Sequence, residues 1–304
     1  MDFKFFEEEA MTHFSLIEVV TKDKLIHQGI FAKPGQTTGL AILWVHGLSG
    51  AFYGNTWILN EFARACSKAG VGFAAFNNRG HDLLSGLRVV DRRKAKGYRH
   101  GMGGAGVEEF TKCVYDIAAG VDFLVSQGFK KIILVGHSTG ANKVCYFAGT
   151  RRHPAIVGVV LASPASDRLD PSLKKDKLHQ GLVYMKRQLN KGKGKDLQLG
   201  YHFFPLTPRR FVSLFAAGSA EDVFDYGDRN PKLTSFSRIG LPLLVIFGGA
   251  DEYFDRPAAK VKEVFDRKTR SRQYQSIIIP DALHGFNGKE NDFVDTVIDW
   301  IKTL

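Results

Sequence analysis

A chain of 304 residues, 44% hydrophobic and 24% charged, has the balance of an ordinary soluble globular protein and can bury one large core, or one core carrying an insertion. The formal net charge of +11 is unevenly placed: residues 151–210 hold thirteen Lys or Arg against four Asp, and residues 88–99 hold six against one. No apolar run approaches the roughly eighteen residues that read as a bilayer span. The acidic start MDFKFFEEEAMTHF also lacks the parts of a secretory signal, so a cytoplasmic protein without a membrane span is expected.

In chain order, SLIEVVT and LIHQGIFA (15–21 and 25–32) read as an antiparallel pair, and LAILWVHG (40–47) as a buried strand. Residues 55–69 have helical spacing, with Asn55 or Thr56 as N-cap, and VGFAAFNNRG (71–80) is the next buried strand. After a basic, Gly-rich stretch, residues 107–127 predict one long amphipathic helix ending near Gly128. KKIILVGHS (130–138) returns as strand and TGANKVCYFAG (139–149) as helix. AIVGVVLASPA, LPLLVIFGG and QSIIIPDA supply three more strands, with helices from Pro257 to Arg267 and from Asn291 to the C-terminus. Strands that alternate with helices and are apolar on both faces predict an α/β protein with a mainly parallel sheet covered on both sides.

Residues 166–237 break this alternation. They hold no strand-length apolar run, but do hold basic helix-like pieces and the turn-rich KGKGKD. A structureless loop of that length is rare in a compact domain, so an inserted, mostly helical lid over 166–237 is expected on a core made of 1–165 and 238–304. Cys66, Cys113 and Cys145 each fall in a predicted helix without metal-ligand spacing and are expected to be free, buried thiols.

The strongest chemical signal is GHSTG, Gly136 to Gly140, because a strand precedes it and a helix follows. A turn this tight strains the serine backbone, exposes the Ser138 hydroxyl and leaves the Thr139 amide at a helix N-terminus, where it can bind a developing oxyanion. An elbow of this type needs an acid and then a histidine later in the chain, each on a loop after a strand. Asp251 in GGADEYF and His284 in DALHGF meet that order, with Asp255 and Asp281 as less favoured acids. An imidazole there takes the Ser138 proton while the acid fixes its tautomer. His46-Gly47-Leu48, directly after a strand, offers the Leu48 amide as a second oxyanion donor, with His46 orienting the loop.

Other signals are weaker. GMGGAG (101–106) does not open a helix after a strand, which argues against a dinucleotide site. His81, His100 and His202 lack zinc spacing. Phe203, Phe204 and Phe211 are candidates for an apolar pocket under the lid. The basic lid lacks interleaved base-stacking aromatics, so nucleic acid is not an expected partner, and its charge suggests attraction of an acidic substrate. No metal or organic cofactor is required by this chemistry.

The ordered set of HG-x-x-G after a strand, Asn77 to His81 as N-x-R-G-H, GHSTG, GGADEY and LHGF resembles the signature of the α/β-hydrolase superfamily from Leu40 to the C-terminus. The run from Gly103 to Phe147 is similar to a group of microbial hydrolases related to fungal siderophore-ester hydrolases. Asn77 departs from the aspartate often found there. The superfamily resemblance implies an acyl-enzyme serine hydrolase, and the narrower one implies a bulky ester as substrate. An acyltransferase or thioesterase would share every such residue, and a non-catalytic small-molecule receptor would share the fold. Dehalogenases and epoxide hydrolases of the fold carry aspartate where this chain has Ser138.

Overall fold

The computed structural model describes residues 13–304 and opens on an antiparallel hairpin, β1 (Ser15–Val20) with β2 (Leu25–Ala32), Ser15 standing opposite Phe31. Then come β3 (Leu40–Val45), α1 (Thr56–Lys68), β4 (Gly72–Phe76), β5 (Ser85–Val90), β6 (Tyr98–Gly103), α2 (Cys113–Ser126), β7 (Lys131–His137), α3 (Thr139–Thr150) and β8 (Ile156–Ala162). After a long segment holding α4 (Lys175–Asn190) and α5 (Pro208–Phe215), the chain ends with β9 (Leu243–Gly248), α6 (Ala258–Lys268), β10 (Tyr274–Ile279) and α7 (Glu290–Ile301). The acidic segment behind the cytoplasmic expectation lies, through residue 12, outside the described residues.

One sheet holds the ten strands of the described residues in the order β10-β9-β8-β7-β3-β4-β2-β5-β6, with β1 on β2. The six strands from β10 to β4 are parallel, and β2, β5 and β6 continue antiparallel. The central strands read as continuous apolar runs because each face is covered. Ala41, Leu43 and Val45 of β3 pack with α2, α3 and α6, while the alternate residues Ile42 and Trp44 pack with α1 and α7.

Two expectations change here. The basic, Gly-rich stretch contains the hairpin β5–β6, in the register Ser85 opposite Gly103, which joins the sheet through Leu25 and Ile26 of β2. Its outer residues are solvated, so it lacks the apolar run that marks the central strands. The helix expected from residue 107 begins at Cys113, after a 3-10 turn over Phe110–Lys112. Gly104 (φ 103) turns the chain, its carbonyl accepts from the Val107 and Glu108 amides, and the Glu108 side chain is drawn inward to Lys143.

Between β8 and β9, α4 and α5, two 3-10 turns and a single bridge between Gln198 and Leu206 are the regular elements. Thr207 caps α5 by accepting from the Arg210 amide at 3.2 Å, with Pro208 in the first turn. Met185, Phe204, Leu206, Phe211, Leu214 and Phe215 form a buried cluster separate from the two on the sheet faces, and Leu48 packs against it. Lys174, Lys175, Lys177, Lys186, Arg187 and Lys191 are exposed on or beside α4.

Cys66, Cys113 and Cys145 are buried and free, and burial pushes each thiol up from its usual range. Among the described residues no helix is long and apolar enough to cross a membrane.

Candidate active site

Ser138 is the single residue between β7 and α3, and its backbone is held at φ 57, ψ −130, a conformation that costs a non-glycine residue about 1–3 kcal/mol. Closeness of the chain to itself requires the flanking glycines. A Cβ on Gly136 would stand 2.3 Å from the Gly140 carbonyl oxygen, and one on Gly140 would stand 2.1 Å from that of Val45. The strain is held by backbone bonds: Ser138 N–H donates to Ala162 O of β8 at 3.0 Å, and Ser138 O accepts from Ala141 N–H at 2.7 Å and from Asn142 N–H at 3.4 Å. Thr139 opens α3, so its amide belongs to the first turn, whose N–H groups have no partner within the helix.

Because β9 and β10 are parallel neighbours, the loops that leave them emerge side by side, which brings Asp251 to His284. Both Asp251 carboxylate oxygens lie 2.9 Å from His284 Nδ1. That bond puts the proton on Nδ1 and leaves Nε2 as the basic nitrogen. The other two aspartates are elsewhere. Asp255 is exposed and paired with Arg256, and Asp281 is exposed on a left-handed turn (φ 57).

The histidine is held at its backbone too. Its N–H donates to Glu252 Oε2 at 2.9 Å, and its carbonyl accepts from His137 Nε2 at 2.8 Å. The Tyr253 ring lies against the imidazole, centroids 4.5 Å apart. Burial, with the His284 ring nearby, lowers His137 to about 4, so this donor is neutral near pH 7.

The turn after β3 lies against the elbow: a Cβ on Gly47 would stand 2.9 Å from Ser138 Cβ. Its shape depends on His46, which is buried and lowered to about 3 by burial and by Lys143. Asn78 N–H donates to His46 Nε2 at 3.0 Å, so Nδ1 carries the proton and donates to Gly47 O at 3.0 Å. Asn78 is gripped in turn by Lys143, whose Nζ lies 3.1 Å from Asn78 Oδ1 and 2.8 Å from Glu108 Oε1. Glu108 also meets Arg210 at 3.4 Å, and Arg210 pairs with Glu221. A buried run of charges thus connects α5 to the turn beside Ser138. Asn77 fills the position where an aspartate was the usual residue by accepting from Phe52 N–H at 3.0 Å.

Ser138, His284, Gly47 and Leu48 line one cavity of about 450 Å³. The segment between β8 and β9 supplies another wall through Ser166, Asp167, Asp170, His202, Phe203 and Phe215. Of the three expected pocket phenylalanines only Phe203 reaches it, because Phe204 and Phe211 are buried in the segment's own cluster. Among the described residues no Lys or Arg lines the cavity, whereas Asp82, Asp167 and Asp170 do. The expected basic attraction for an acidic substrate therefore has no counterpart at the site, since the cations of α4 face solvent. Among the described residues no group of His, Cys, Asp and Glu is arranged to hold a metal ion.

Sequence reading passed over His137, Asn78, Glu108, Lys143 and Tyr253. His137 and Asn78 occupy the variable positions of the two motifs, GHSTG and N-x-R-G-H. Lys143 carries a signal, as the one charged residue of its helix.

Solved structures share this architecture at low identity. The siderophore hydrolase EstB from Aspergillus fumigatus aligns at 16% identity with a TM-score of 0.65, over 97% of this chain and 99% of that one. An esterase from Pyrococcus furiosus, Pf2001, aligns at 18% identity with a TM-score of 0.62, over 96% of this chain and 91% of that one. Est1E from Butyrivibrio proteoclasticus, with ferulic acid bound, aligns at 15% identity with a TM-score of 0.64, over 94% and 98%. The fold is that of the α/β-hydrolases. No curated protein matches the sequence. Residues 89–304 match the model of a family described as "Protein of unknown function (DUF1749)".

Proposed function

We propose that this chain, which belongs to the DUF1749 family, is a serine hydrolase that cleaves a carboxylic ester through an acyl-enzyme intermediate. The observation that carries this reading is the strained Ser138, φ 57, on the same cavity wall as a histidine whose Nδ1 is held at 2.9 Å by a buried carboxylate. Strain of this kind persists only where the surroundings enforce it, and a serine beside an oriented imidazole gives it a use. The similar structures, an esterase and a siderophore hydrolase among them, support ester cleavage as the reaction class.

In this reading Ser138 Oγ forms a bond to the acyl carbon as its proton passes to His284 Nε2, and the carbonyl oxygen becomes an oxyanion bound by the amides of Leu48 and Thr139. Collapse of that adduct breaks the bond to the alcohol, which leaves with the proton from His284. Water then gives a proton to His284 and its oxygen to the acyl carbon. The second collapse releases the acid and returns the proton to Ser138 Oγ. Asp251 steadies the imidazolium in both halves. Residues 166–237 act as a lid on the core of 1–165 and 238–304, a role supported by the cavity wall they contribute.

Ser138→Ala is the test. It should abolish turnover of a p-nitrophenyl ester while the circular dichroism spectrum is unchanged, and retained turnover would remove the proposal.

A further inference from the structure

The cavity in front of Ser138 has the opposite sign to the chain that surrounds it. The chain has 42 Lys and Arg, yet the charged side chains that line this cavity are Asp82, Asp167 and Asp170. Cations beside them are committed elsewhere: Arg168 lies 2.9 Å from Asp222 and 2.5 Å from Asp228, and Arg210 is held by Glu221 and Glu108. The polar partners of the lining carboxylates are neutral. Asp82 accepts from Tyr53 OH at 2.5 Å and Asp170 from Ser172 N–H at 2.8 Å. Among the described residues none of the three carboxylates forms a salt bridge with Lys or Arg, although Arg210, already paired with Glu221, is near enough to Asp167 to favour its charged form.

The rest of the wall suits a cation as well. Tyr53, Phe203, Phe215 and Tyr253 line the same space, and the faces of such rings attract positive charge. His46, His137 and His202 are lowered chiefly by burial, so they add no positive charge near neutrality. Burial and the nearby Glu221 push Asp167 up to about 7 against the opposing pull of Arg210, so a cation arriving beside it would favour its ionised form. The site itself is defined by Ser138 and His284, independently of these acids, so what the acids specify is the kind of molecule that enters it.

We propose that the substrate is a cationic ester, whose ammonium or guanidinium group is received by Asp167 and Asp170 on the wall contributed by the segment between β8 and β9. This rests on the serine-hydrolase reading above. It also divides the labour: the core carries Ser138 and His284, and the segment selects by charge.

Three p-nitrophenyl esters of matched length test it: the 6-(trimethylammonio)hexanoate, its neutral isostere the 7,7-dimethyloctanoate, and the anionic monoester of pimelic acid. The cationic ester should exceed the neutral one in kcat/KM by about tenfold or more, and the anionic ester should be poorest. The cationic-to-neutral ratio should shrink with added salt and move toward one in Asp167→Asn/Asp170→Asn, with Asp170→Asn alone as the milder variant. A ratio at or below one, or a ratio indifferent to both variants, overturns the proposal. Calorimetric binding of the same esters to Ser138→Ala separates this idea from the one it rests on. Preference for the cation without any wild-type turnover would remove the hydrolase reading and keep the cation site. Equal binding of cationic and neutral esters would overturn the cation site whether or not either is cleaved.

Discussion

His137 Nε2 donates to the main-chain carbonyl of His284 at 2.8 Å, so the residue just before Ser138 anchors, across a sequence separation of 147, the histidine that lines the same cavity. A hydrogen bond of this kind fixes where an imidazole sits without touching the reacting atoms. His137 is therefore a positioning residue. Replacing it by Phe should lower kcat about 10- to 100-fold with little change in KM, because small misplacements of a base are costly. His137→Gln, which keeps a donor, should recover part of the loss, and equal losses in the two variants would assign His137 to packing alone.

Asp251 is the carboxylate in contact with the His284 ring, whereas Asp255 pairs with Arg256 and Asp281 is exposed. Asp251→Asn should cost about 10⁴-fold in kcat by favouring the wrong histidine tautomer. Steady-state rates of Asp255→Asn and Asp281→Asn should stay within about twofold of wild type, as surface changes away from such features usually do.

Lys143 and Glu108 are buried together, their charged atoms 2.8 Å apart. Breaking a buried pair from one side leaves an uncompensated charge, so Lys143→Met should destabilise by about 3–5 kcal/mol. Lys143→Met/Glu108→Gln should lose less than the sum of the single changes, as read by a double-mutant cycle in urea. Strict additivity would mean that the pair is not coupled.

Two buried histidines set a direction for acid stability. His46 is lowered to about 3 and His137 to about 4, while both titrate near 6.5 when the chain is unfolded. As pH falls below about 6.5 the unfolded chain takes up protons that the folded one refuses, so stability is full above that pH and is lost on the way down to about 4 for His137 and about 3 for His46. Each contributes on the order of a few kcal/mol to that loss. The denaturation midpoint should fall between pH 7 and pH 5, and the slope should lessen in His46→Asn and His137→Asn. A pH-independent midpoint would contradict the neutral assignment of both rings.

The central strands were legible in the sequence because a buried parallel strand must be apolar on both faces, as in LAILWV, KIILV and LLVIF. The hairpin β5–β6 was not, since a strand pair at the sheet edge buries little and carries Arg88, Arg99 and His100 without strain. The start of α2 was misplaced because Gly104 and the inward pull on Glu108 come from tertiary contacts that helical periodicity does not record.

What the sequence by itself determined is a set of local necessities. A one-residue turn between strand and helix needs glycine on both sides of Ser138, and strand ends place Leu48, Asp251 and His284 on loops at known points along the chain. Only the tertiary structure decided which side chains meet. The parallel pairing of β9 with β10 brings Asp251 to His284, the segment's own core takes Phe204 and Phe211 away from the cavity, and three aspartates face inward while the basic run of α4 faces water. Charge summed along a chain has no direction, whereas the field at a site depends on which side chains point into it and which are already paired.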